Sequence, residues 1–226
     1  MKVGLNRLIT LSDPLSPGAE AFRTLRANIQ LCHLASPMRS LLVTGAGAEE
    51  ESAMVLCNLA VTIAQAGSRV VLADADFRQP SLHEILELGN DKGLATLLLG
   101  QDEGELPLQE TAVPGLRAIT SGPVPPNLAH LAGSPRIRDL VDRLADTADV
   151  VMFNAPPIGV VADAALLAGK VDGVVLVVSA GRTRRETAFR AKTALEKANA
   201  RILGVVVDNA RPDPSLYRYF KSLRKG

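Results

Sequence analysis

LLVTGAGAEEESAMVLCNLAVTIAQA, Leu41 to Ala66, joins a short β-branched apolar run to a long apolar helical pattern through a loop holding three consecutive glutamates. A strand feeding a helix through a glycine-containing turn is the setting of a phosphate-binding loop, G-x-x-x-x-G-K-[ST]. There the backbone N–H groups close around phosphates, the lysine bridges them and the hydroxyl holds magnesium. In register with the strand and the helix, Glu51 falls at the second glycine, Ser52 at the lysine and Ala53 at the hydroxyl. The setting is kept and every chemically specific position is changed. On the motif alone, the degenerate loop of Gly47, Glu49, Glu50, Glu51, Ser52 and Ala53 reads as an ordinary strand-to-helix turn, its acidic side chains favoured by the positive helix end. The loop from Ala46 to Glu51 is expected to close rather than stand open, with one glutamate accepting from free N–H groups at the helix start.

Outward from this loop the pattern repeats. Leu41–Ala46, Arg69–Ala75, Leu116–Thr120, Asp149–Ala155, Gly173–Ala180 and Arg201–Asn209 are short, β-branched and apolar on both faces, as strands buried on both sides of a parallel sheet are. Helical stretches alternate with them, including Glu49–Ala66, Pro135–Ala145, Asp163–Ala168 and Glu186–Ala198. The expected fold is α/β, a doubly wound and mostly parallel sheet whose ligand crevice lies at the carboxyl ends of its strands. The proline clusters Ser121–Asn127 and Asn154–Gly159 follow strands and are expected to line that crevice.

The 226 residues fit a single domain over 1–226, with no repeat and no low-complexity tract. A net charge of +1 with mixed signs argues against a nucleic-acid partner. No apolar run approaches the roughly 20 residues of a membrane span, and the opening MKVGLNRLITLSDP lacks signal-peptide features, so a cytoplasmic protein is expected. Cys32 and Cys57 read as buried apolar residues of helices, and His33, His83 and His130 form no metal-ligand spacing.

SPGAEAFRTLRANI (Ser16–Ile29), NLA (Asn58–Ala60), LADADFRQPSLH (Leu72–His83), GLATLLLG (Gly93–Gly100), SGPVPPN, APPIGVVADA (Ala155–Ala164) and ILGVVVDN (Ile202–Asn209) follow one another in order. This series, spread over nearly the whole chain, resembles the bacterial tyrosine kinases of capsule and exopolysaccharide biosynthesis, P-loop proteins similar to septum-site and partitioning ATPases. The resemblance implies that Asp74, Asp76 and Arg78 match the family's D-x-D-x-R motif, whose aspartates serve magnesium and activate the attacking tyrosine. It also implies that Asn154 stands where the family has a magnesium-holding aspartate before T-P-P. Carboxylates at a strand end also serve as plain loop or helix caps, so Asp74 and Asp76 stand either as relics of an active site or as structural acceptors. Two unit charges 4–8 Å apart interact by roughly 2–4 kcal/mol at an effective dielectric near 20, so a glutamate facing the cradle would weaken nucleotide affinity by about tenfold or more.

The helix expected over about 16–34 carries Phe22, Leu25, Ile29 and Cys32 on one apolar face and Glu20, Arg23 and Arg26 at spacing three on another. The charged series reads as a solvated face by itself; the resemblance makes it the family's oligomerisation motif. A C-terminal tail of about 212–226 holds Tyr217 and Tyr219, which the resemblance makes phosphoacceptors, while Leu216, Tyr219, Phe220 and Leu223 also suit a docked terminal helix. The expected protein is therefore a kinase-like scaffold with impaired catalysis, a pseudokinase. It is expected to need no cofactor, to bind ATP and magnesium weakly or not at all, and to assemble with kinase-like subunits. The resemblance further implies a separate membrane adaptor of polysaccharide co-polymerase type, holding the chain at the inner face of the plasma membrane. Two other readings stay open: an active autokinase with an atypical nucleotide site, and a partitioning or positioning ATPase-like protein.

Overall fold

The computed structural model describes residues 4–48, 50–101, 104–124, 131 and 133–211. Glu49, His130, the end of the Ser121–Asn127 cluster and the tail with Tyr217 and Tyr219 lie outside the described residues.

Seven strands form one sheet: β1 (Ser40–Gly45), β2 (Val70–Asp74), β3 (Gln109–Glu110), β4 (Leu116–Ile119), β5 (Val150–Asn154), β6 (Gly173–Ser179) and β7 (Ile202–Asp208), in the order β3-β4-β2-β5-β1-β6-β7. All neighbours run parallel except β3, which pairs antiparallel with β4. The β-branched runs become β1, β2, β5 and β6 because each has neighbours on both edges and helices on both faces; Leu42, Val43, Val71, Leu72, Val151 and Val174 are fully buried.

On one face lie α1 (Ile9–Ser12), α2 (Pro17–Ala35), α3 (Ser52–Gln65) and α4 (Leu82–Leu86), packed through Leu8, Ile29, Leu56, Leu59, Leu82 and Ile85. On the other lie α5 (Leu94–Leu98), α6 (Arg136–Ala145), α7 (Asp163–Ala168) and α8 (Arg185–Lys197), packed through Leu94, Leu140, Leu144, Leu167, Ala191 and Leu195. The chain belongs to the mostly parallel, doubly wound class, with its crevice at the carboxyl ends of β1, β2 and β5.

Two sequence expectations need correction, and one strand was not foreseen. The helix after β1 starts at Ser52, not Glu49, because the Glu50 side chain is drawn back into the loop. β7 is not buried on both faces: Val205 and Val207 are more than half exposed, since β7 is the sheet edge, and its register slips at Val174 and Val175. The two-residue β3 carries no apolar run that sequence could have flagged.

Candidate functional site

β1 delivers Gly45 to the crevice, and the loop that follows is filled from within. Glu50 Oε2 accepts the Gly47 N–H at 2.7 Å, and Glu50 Oε1 accepts the Thr183 hydroxyl at 2.5 Å. Thr183 Oγ1 in turn accepts the Ser179 N–H at 2.6 Å, which ties the loop to the end of β6. A Cβ on Gly45 would meet Gly47 O at 3.0 Å and the Glu50 side chain at 3.2 Å, so only glycine lets the carboxylate fold this far inward. From the other side, a Cβ on Gly159 would strike Ala46 O at 2.1 Å, so the loop after β5 lies flat against the same turn. Glu50 is thus the inward glutamate, but it reaches a loop N–H and not the helix start: the first turn of α3 has no side-chain cap.

The neighbouring positions are equally altered. Glu51 precedes α3 and turns outward to Arg7, 3.4 Å away; both are substantially exposed. Ser52 is buried in the first turn, and Ala53 lines the crevice without a hydroxyl. The crevice has a volume of about 280 Å³, and the described residues lining it include four carboxylates, Glu50, Glu51, Asp76 and Glu84, against one cation, Arg7.

β2 ends at Asp74, which is fully buried with both oxygens engaged. Oδ1 accepts from Asn154 Nδ2 at 2.8 Å and from the Asp76 N–H at 3.3 Å; Oδ2 accepts from the Ser81 and Leu82 N–H groups at 3.0 and 2.9 Å. Asp74 therefore staples the turn from β2 into α4, and Asn154 supplies the donor that an aspartate in its place could not. Burial pushes the Asp74 carboxyl above its ordinary range, and these hydrogen bonds pull the other way. Asp76 Oδ1 accepts the Arg78 and Gln79 N–H groups, and burial is again the main cause of its upward shift. Arg78 is held by Asp163 at 2.8 Å.

Asp76, Asn154 and the glutamate loop line one crevice, as the sequence places them, with Asp74 fully buried behind Asn154; Glu20, Arg23 and Arg26 are elsewhere, on α2. Glu20 and Arg23 pair at 2.7 Å, and Arg23 also donates to Pro14 O. Arg26 Nε is buried with no partner among the described residues, and the side chain lines a groove of about 330 Å³ with Ile29, His33, Met38 and Asp149. That groove lies at the strand starts, the opposite end from the crevice. Cys57 is buried, and burial together with the nearby Asp74 charge pushes its thiol far up, which keeps it an inert core residue. Among the described residues no cluster of His, Cys, Asp and Glu could hold a metal, and no helix is long and apolar enough to cross a membrane. Sequence reasoning missed Thr183; its one signal was a hydroxyl just past a strand that ends at the crevice.

No protein-family model matches the chain. A tyrosine-protein kinase of Bacillus subtilis, YwqD, is 37% identical over 204 residues, covering 90% of this chain and 86% of the relative. The chain belongs to the bacterial tyrosine-kinase family. Among solved structures, the chimerical protein CapA2B2 superposes with a TM-score of 0.85 at 31% identity, covering 94% of this chain and 95% of the other. The kinase domain of the Escherichia coli tyrosine kinase Etk gives 0.84 at 30% identity, covering 91% and 82%. The cell-division ATPase MinD of Pyrococcus furiosus, at 21% identity and a TM-score of 0.63 over 81% of this chain and 79% of the other, shares the fold, which is that of the P-loop NTPases.

Proposed function

We propose that this protein is a catalytically impaired member of its family, a pseudokinase with a structural or regulatory role in capsular or exopolysaccharide biosynthesis and export. The observation that carries the reading is the Glu50 carboxylate, seated against the Gly47 N–H and the Thr183 hydroxyl inside the loop where the family's motif would cradle phosphate. Phosphoryl transfer depends on positioned positive charge, and the loop offers a carboxylate instead. Asp74 and Asp76 persist because they hold the β2-to-α4 turn, a role that needs no nucleotide.

A single-domain chain over 1–226 acts in this reading through contacts. Glu20, Arg23 and Arg26 on α2 join kinase-like subunits, and a separate membrane adaptor of co-polymerase type holds the assembly at the inner face of the plasma membrane. Tyr217 and Tyr219 are the candidate phosphoacceptors for an active neighbour. The similarity to CapA2B2, a chimerical protein, is the support for a partner.

The test is restoration. The combined substitution Glu49→Gly, Glu50→Gly, Glu51→Gly, Ser52→Lys, Ala53→Ser and Asn154→Asp returns a cradle, a cation and metal-binding oxygens around Asp74 and Asp76. It should bind ATP with magnesium, while the unaltered protein shows no tyrosine phosphorylation in the presence of ATP. Autophosphorylation on tyrosine by the unaltered protein would overturn the reading and make this an autokinase with an atypical site.

A further inference from the structure

We propose that the outer face of α8, with the loop after β5 beside it, docks the protein directly on an anionic lipid surface. α8 buries Ala191 and Leu195, and Phe189, two residues before Ala191, projects from the opposite side with 68% of its surface exposed. Around it stand Arg182, Arg184, Arg185 and Arg190, all exposed, with Glu186 the one carboxylate in the interval. None of the four guanidinium groups makes an ion pair or hydrogen bond among the described residues. By contrast, Arg7, Arg23, Arg39, Arg69, Arg78 and Arg138 each hold a carboxylate. Four like charges within nine residues, unpaired among the described residues, repel one another in the folded chain, which marks the segment as a surface for an outside anion.

The patch continues beyond the helix. Gly159 packs against the start of α8, its Cβ position 3.8 Å from the Thr187 methyl, and the next residue, Val160, is 60% exposed. Phe189 and Val160 are thus both exposed around the start of α8, among its arginines. A groove for a peptide would enclose them; a planar interface takes them into its acyl boundary while guanidinium groups meet lipid phosphates. Each basic residue near an anionic leaflet raises partition by roughly fivefold. This inference does not depend on whether the chain binds nucleotide.

Co-sedimentation of the full chain with vesicles of phosphatidylcholine, with and without phosphatidylglycerol, tests it. The chain should sediment with the anionic vesicles and stay in solution with the neutral ones. Arg184→Glu combined with Arg185→Glu should weaken binding by about tenfold or more, and Phe189→Ser should weaken it severalfold. Among the described residues Arg184 and Arg185 hold no ion pair and Phe189 is mostly exposed, and circular dichroism checks that the variants fold. Failure to sediment with anionic vesicles, or unchanged binding by both variants, would overturn the proposal. So would loss of binding on charge reversal with Phe189→Ser still binding fully, since that pattern belongs to an acidic protein or another polyanion read by charge alone.

Discussion

Glu50 and Asp76 are both carboxylates on one crevice, yet they do different work. Glu50 has a hydroxyl and an N–H on its two oxygens and closes the loop. Asp76 is mostly buried with backbone donors on one oxygen only, so its charged form is the less well solvated. Its carboxyl lies above the ordinary 3.8 when folded, with burial the largest cause. A group raised on folding contributes stability that is present below its unfolded value and lost as pH rises through its folded one. Asp76→Asn keeps the oxygen that accepts the Arg78 and Gln79 N–H groups and removes the charge. The variant should therefore melt above the natural protein at neutral pH, the gap closing as pH falls toward the ordinary carboxylate range. A gap that does not change with pH, measured by thermal melts, would refute this assignment. The inward turn of one glutamate was legible in the loop, but which one was not. The choice depends on Thr183, 133 residues away, and on the flat approach of Gly159, neither of which local sequence reports.

Among elements, the central strands were readable because burial on both faces demands unbroken apolar runs. β7 carries the same composition and lies at the edge, so its sequence misstates its burial: strand order is a property of the chain path and not of the segment. α2 was legible for the opposite reason, its apolar stripe being one-sided: Ala19 and Ile29 are buried and Phe22, Leu25 and Cys32 pack partly against α3 and its neighbours. The charged side of α2 has its Glu20–Arg23 pair on the surface, a contact that adds only about 0.5 kcal/mol within one helix. Its value in our proposal lies in assembly. The natural protein should form oligomers in solution, and Arg23→Glu, which sets like charges at spacing three, should give a folded monomer with a melting temperature within a few degrees of the original. Light scattering decides; a natural protein that stays monomeric at high concentration contradicts the interface role.

At the scale of the whole molecule, the chain keeps the family's scaffold, and in our proposal the site it positions has changed sign. The chain superposes on the Etk kinase domain with a TM-score of 0.84 over 91% of its length. The fold was legible because its determinants are spread over seven segments in order, so no single substitution hides it. The state of the site was legible only as absence: no lysine at Ser52, no hydroxyl at Ala53, no carboxylate at Asn154. The carboxylate inside the loop and the Asn154–Asp74 bond, which our proposal sets in their place, follow from contacts between β1, β2, β5 and β6 that assemble only in three dimensions. The central claim is that an internal carboxylate has taken the seat of the phosphates. Calorimetric titration of the unaltered protein with ATP, with and without magnesium, addresses it most directly. Losing the lysine and metal contacts while adding a facing charge removes several kcal/mol, and about 1.4 kcal/mol is tenfold in affinity. No magnesium-dependent heat of binding is expected in the micromolar range, whereas tight binding that requires magnesium would show the seat still open to phosphates.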